Sequence, residues 1–204
     1  MEVKVQKISI FLIFLLAFTF SVNAQKKYVG VKSCGMCHKK AEQGEQLKVW
    51  EGSSHAKAYE TLKGEKANKI AADKGFKTSA VETPECLACH TLGSKVDASL
   101  LDKNFKIEDG VQCETCHGAG SEYKSKKVME DHAASVAAGM TEYANEAAIE
   151  KQCLTCHNDK SPTFKEFKFK EMWDKIKHSV PEKKVNFKLS FTKKRISIRY
   201  PFLF

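Results

Sequence analysis

No cysteine of this 204-residue chain stands outside a Cys-x-x-Cys-His pentapeptide. No thiol is therefore spare for a separate disulfide framework, and none follows Ala24 where a lipoprotein anchor would need one. Long apolar runs are equally scarce. The N-terminal one, Ile8 to Phe20, has 13 residues, short of the ~20 that span a bilayer. Large aliphatic residues are thin along stretches rich in Lys, Glu and Ala, so an ordinary apolar core has little to draw on. No convincing strand pattern precedes residue 185. No Cys-x-x-Cys-Lys site is present either, which argues against a nitrite-reductase type of enzyme.

The eight cysteines form four copies of one motif: Cys34 and Cys37 before His38, Cys86 and Cys89 before His90, Cys113 and Cys116 before His117, and Cys153 and Cys156 before His157. Zinc sites and dithiol centres also use Cys-x-x-Cys, but neither explains a His directly after every second Cys. A c-type haem attachment site explains all five positions. Two thiols add to the vinyl groups of one haem, and the adjacent His reaches the iron as its proximal ligand. The expected cofactors are four covalently bound haem c groups.

Residues 1–24 read as a secretory signal, with Lys4 and Lys7 as the basic region, Ile8 to Phe20 as the apolar region and Val22-Asn23-Ala24 before cleavage. Haem c is joined to its polypeptide outside the cytoplasm, so a periplasmic location is expected, with no stable membrane insertion once the signal is cleaved. An uncleaved anchor is the alternative. Residues 25–185 then form one tetrahaem cytochrome c domain, and 186–204 a basic, aromatic tail of unknown order. The formal charge of +9 suggests nucleic acid at first sight. The tail holds five basic residues and no acid, while residues 25–185 carry 27 basic against 24 acidic residues. Eight haem propionates would offset that small excess, so nucleic-acid binding is not expected.

The expected fold class is mainly α, a compact multihaem cytochrome c fold with little β-sheet, its chain wrapped around four haems. The motif spacing is irregular, which excludes a solenoid of equal units. Residues 39–75 read as helical pieces broken at Glu51-Gly52 and near Gly64, with Ser53 or Ser54 capping a helix that begins near His55. Thr83-Pro84-Glu85 reads as a helix start leading into the second motif. Gly110 and Gly118-Ala119-Gly120 bracket the third motif and allow close backbone approach. Residues 122–152 read as one or two long helices. Glu166 to Lys177 reads as another, with Phe169, Met172, Trp173 and Ile176 on one face.

Seven histidines are present and four belong to the motifs. His55, His132 and His178 remain as candidate second axial ligands, enough for three irons and leaving the fourth open. Surface histidines are the bland reading of each. Met129, Met140 and Met172 are rival ligands that more naturally fill gaps around a large apolar cofactor.

Tyr28-Val29-Gly30 before Cys34, Trp50 to His55-Ala56, Gly110 to Cys113 with Cys116 to Gly120, Cys156-His157-Asn158, Ser161 to Phe164 and Ile176-Lys177-His178 together resemble the tetrahaem cytochrome c-554 family. The resemblance implies crossed ligation: His55 opposite His157, His132 opposite His38, His178 opposite His117, and a five-coordinate iron on His90. It implies an electron carrier between periplasmic or membrane-bound redox proteins, with a hydroxylamine-oxidoreductase-like donor. Two other functions stay open: reduction of nitric oxide or a related nitrogen compound at the open iron, and a membrane-tethered quinol-oxidising subunit. No catalytic residue is assigned.

Overall fold

The computed structural model describes residues 25–178. The expected signal segment 1–24, the tail 186–204 and the end of the expected domain lie outside the described residues. The described chain folds into short helices: α1 Val31–His38, α2 Gln46–Glu51, α3 Ala58–Thr61, α4 Glu65–Asp73, α5 Pro84–His90, α6 Glu114–His117, α7 Lys126–Met129, α8 His132–Ala137, α9 Glu146–Cys153 and α10 Phe169–Ile176. Four 3₁₀ turns join them. Among the described residues there is no strand, and an isolated parallel bridge pairs Tyr28 with Leu101. The fold is mainly α, as expected.

Local chemistry explains where the helices break. α2 stops at Glu51 before Gly52, and Gly64 occupies the N-cap of α4. Thr83 is the N-cap residue of α5 and Pro84 its first position. Its hydroxyl does not cap the helix, however. It bonds to Thr78 Oγ1 and to the Ser79 carbonyl, both at 2.8 Å, and so ties the preceding turn to the helix start.

Three expectations need correction. Residues 122–152 hold three short helices, α7, α8 and α9, not one or two long ones. Side chains of Ser125, Asp131 and Asn145 each accept a bond from a first-turn N–H, and so open a new helix each time. Gly139, at φ +111°, turns the chain after α8. His55 does not begin a helix: it sits in a turn, and α3 starts only at Ala58. The last helix is also shorter than expected, Phe169–Ile176.

The apolar core is small. Leu62, Ala71 and Ala80 form its buried centre, with Phe76, Val81, Cys86 and Leu87 packed around them. This cluster fixes α4 against the helix that carries the second motif. Elsewhere the segments are held by buried polar bonds. The Glu114 carboxylate is 2% exposed and accepts the N–H groups of Val29, Gly30 and Gly120 at 2.8, 2.8 and 2.7 Å. Gln112, equally buried, accepts from Val31 N at 3.3 Å and donates to the Lys106 carbonyl at 2.7 Å. Satisfied polar bonds of this kind fix geometry where few side chains can interdigitate.

Candidate functional site

Residues 110–114 act as a hub that brings three motifs and one spare histidine together. Val111 N donates to the His55 carbonyl at 3.1 Å, and Trp50 Nε1 donates to the Val111 carbonyl at 2.8 Å. Leu92, just past the second motif, donates to the Gly110 carbonyl at 3.2 Å. Glu114 and Gln112 hold the backbone that leads into the first motif. Gly110 has φ +70°, and a Cβ there would sit 2.8 Å from the His55 carbonyl oxygen. Glycine is thus required both by the left-handed backbone and by the close passage of the His55 turn.

Two spare histidines meet motif histidines from remote segments. The rings of His55 and His157 have centroids 6.1 Å apart, and those of His117 and His178 5.9 Å. A metal–imidazole bond is about 2 Å, and a ring centroid lies about 1.1 Å behind the nitrogen, so two imidazoles on opposite sides of one metal have centroids about 6.2 Å apart. The observed separations fit that requirement, and direct packing of two rings does not demand it. Burial holds His55, His117 and His157 below the usual imidazole value, with the neighbouring His157 adding to the effect at His55, and His178 and His38 at His117. The neutral imidazole is the form that binds metal.

The motif histidines also have partners on the far side of the ring. His90 Nδ1 lies 2.7 Å from the Ala58 carbonyl, and His38 Nδ1 3.2 Å from Gln46 Oε1. Donation from Nδ1 leaves the Nε2 lone pair for a metal, the usual arrangement behind a ligating histidine. His157 stacks on Phe167, with centroids 4.7 Å apart and planes at 22°. His132 is placed differently. It is exposed, and its Nε2 lies 2.7 Å from Glu142 Oε1. Among the described residues no ring contact joins it to His38.

The thiols trace a row. Cys34 and Cys113 are close enough to influence each other's charge, and Cys89 and Cys156 line one cavity. Cys116 is pushed up to about 11 by burial, with Cys153, Cys113 and Cys156 contributing like charge. The attachment sites therefore adjoin in the order first, third, fourth, second. All eight cysteines are free of disulfides. A cavity of about 270 Å³ lies where the second, third and fourth sites converge, lined by Cys89, Thr91, Lys95, Thr115, Gln152 and Cys156 among others. Thr115 Oγ1, buried there, has no hydrogen-bond partner in the protein, as expected of a polar wall facing a bound group. The donor set, the imidazole spacings and this orphaned hydroxyl all fit haem c.

Sequence reasoning missed Glu114, Gln112, Lys95 and Phe167. Glu114 and Thr115 occupy the variable positions of a motif, where no rule flags them. Phe167 follows the turn after the fourth motif, but nothing local says that it stacks on His157.

Described residues that are mainly helical, with Cys-x-x-Cys-His sites and imidazole pairs at metal-spanning separation, have the layout of a c-type cytochrome. Residues 33–118 match the family described as cytochrome c554 and c-prime. The chain is 27% identical over 154 residues to cytochrome c-554 of Nitrosomonas europaea, an alignment covering 71% of this chain and 63% of that protein. The chain is thus similar to the cytochrome c-554 family, most clearly over residues 33–118. It spans 63% of the length of the curated relative that it matches. No solved structure matches it. No helix among the described residues is long and apolar enough to cross a membrane.

Proposed function

We propose that this protein is a periplasmic tetrahaem electron carrier, with haem c bound at Cys34/Cys37, Cys86/Cys89, Cys113/Cys116 and Cys153/Cys156. Haem c supplies one-electron iron chemistry when bound. The observation that carries the reading is the pair of crossed histidine contacts, His55 with His157 and His117 with His178, at 6.1 and 5.9 Å. Each ties together two segments remote in sequence, and so limits rearrangement between oxidation states. Gln46 and the Ala58 carbonyl hold His38 and His90 in the metal-binding tautomer. Thiols adjoining in the order first, third, fourth, second leave short steps between neighbours, and the ends of the row are the sites of His38 and His90. His132, now against Glu142, would be the second imidazole at the site of His38.

With His132 given to the site of His38, as the resemblance implies, His90 is the sole imidazole of its site. A small ligand such as nitric oxide would bind there, and turnover of it is the second reading. The donor and acceptor are periplasmic or membrane-bound redox proteins, and a hydroxylamine-oxidoreductase-like donor is one of them.

Pyridine haemochrome analysis of the purified holoprotein should give four haems per chain. The oxidised spectrum should show one high-spin component among low-spin ones. His55→Ala should convert a second haem to high spin, and an unchanged spectrum would show that His55 does not ligate. Four low-spin irons would remove the nitric oxide reading.

A further inference from the structure

The second and fourth attachment sites share a cation that neither motif contains. Lys95 ends the 3₁₀ turn Gly93–Lys95, just past the second motif. Its Nζ lies 3.8 Å from Sγ of Cys156, 61 residues further on in the fourth motif. Among the described residues no other lysine makes such a contact with a motif sulfur.

The turn that carries Lys95 is fixed on several sides. Leu92 N donates to the Gly110 carbonyl at 3.2 Å, and Lys95 N to the Leu92 carbonyl at 3.3 Å. Thr91, 4% exposed, donates its hydroxyl to the Leu87 carbonyl at 3.0 Å. Gly93 is buried against Phe105, whose ring leaves only 2.9 Å for a Cβ. Satisfied bonds and close packing thus set where the lysine stem begins. Lys95, Cys89 and Cys156 line one cavity, and Ala88, Leu92 and Val111 form its apolar wall. A charge against an apolar wall acts more strongly than one in open water. No carboxylate pairs with Lys95 among the described residues.

We propose that Lys95 sets the direction of electron flow: its ammonium favours the reduced form at the second and fourth sites over the first and third, and so draws the electron toward the His90 end of the row. The inference rests on the electron-carrier reading. Its physical basis is charge balance. Reduction removes one unit of positive charge from a site, so a fixed cation nearby disfavours the oxidised form more than the reduced one. The step is a one-electron exchange within the row: one site is oxidised as its neighbour is reduced, and no bond or proton moves. Thioethers and propionates occupy opposite edges of a haem c, so a cation at a thioether sulfur is not placed to neutralise that haem's propionates.

The test is potentiometric titration of the full-length holoprotein, with pyridine haemochrome confirming four haems in each variant. In Lys95→Gln two of the four midpoints should fall, each by the equivalent of roughly threefold in the reduced-to-oxidised ratio, and the other two should stay. The effect is kept to this size by solvent, because the side chain is exposed. Lys95→Glu should enlarge it to about tenfold, and Lys95→Arg should hold all four midpoints within about 1.5-fold. Lys95→Met, an uncharged stem of similar length, should repeat the Lys95→Gln result and serves where the glutamate variant fails to mature. Unmoved midpoints in Lys95→Gln and Lys95→Met would overturn the proposal. So would equal movement of all four, or a change in Lys95→Arg as large as in Lys95→Gln, which would point to packing and not charge. A wild-type protein whose haems titrate but exchange no electron with any redox protein fails the carrier reading and leaves the Lys95 result standing.

Discussion

Removal of the Glu114 side chain tests most directly what holds this fold together. The carboxylate accepts three backbone N–H groups at 2.8, 2.8 and 2.7 Å from a position 2% exposed. Glu114→Ala leaves those three donors without a partner. A net loss of about 1 kcal/mol or more per bond, with bonds to charged groups at the upper end, gives about 3–5 kcal/mol. That is a large share of the ~5–15 kcal/mol that stabilises a domain. Glu114→Gln is informative because the two oxygens do different work. Oε1 serves Val29 and Gly120, and Oε2 serves Gly30. An amide keeps the first pair but sets an NH₂ group against Gly30 N–H, costing about 1–3 kcal/mol. Guanidinium unfolding of the holoprotein, followed by far-UV circular dichroism, reads both. The pH dependence has a sign as well. Burial outweighs the three N–H bonds and raises the carboxyl above its ordinary value of 4.5. The part of stability linked to its protonation is therefore fully present below that value and is lost as pH rises through the folded one, while the three N–H bonds remain. Glu114→Gln should remove this part of the pH profile. A Glu114→Ala protein within about 1 kcal/mol of wild type would refute the hub as a source of stability.

Gly110→Ala should cost about 1–3 kcal/mol in the same unfolding assay, because the Cβ would meet the His55 carbonyl 2.8 Å away on a backbone at φ +70°. If that turn aims His55, the oxidised spectrum should also gain high-spin character; unfolding alone, with a normal spectrum, would separate the two roles. Asp131→Ala removes the cap on α8 and should cost about 1 kcal/mol, with Asp131→Asn recovering most of it. Thermal unfolding of the three proteins side by side checks it.

The helix breaks show how far local chemistry reaches. Glu51-Gly52, Gly64 and Thr83-Pro84 end or begin helices where their residue types say they should. The stretch 122–152 failed because its Ala, Glu and Lys content favours helix on average, while Ser125, Asp131, Asn145 and Gly139 each restart or turn the chain at one point. A cap acts through a single hydrogen bond, which a compositional average hides. His55 was misjudged for a related reason: its turn is held from outside, by Val111 N and the close passage at Gly110, and not by its own neighbours.

Attachment chemistry was legible because it is local. Two thiols and an imidazole within five residues make a site whatever surrounds them, and the histidine count needs no geometry at all. Which imidazoles face each other is decided by contacts between residues about 60 to 100 positions apart, such as His55 with His157 and His117 with His178. The order in which the sites adjoin is decided the same way, by Glu114 on the backbone before Cys34, Gln152 on the Thr115 carbonyl, and Cys89 and Cys156 on one cavity. Glu114 owes its role to three backbone amides from two other segments, and no feature of its own motif marks it. Covalent chemistry depends on residue type and short spacing, so it can be read along the chain; alignment across the row depends on buried polar bonds that exist only once the chain has closed on itself.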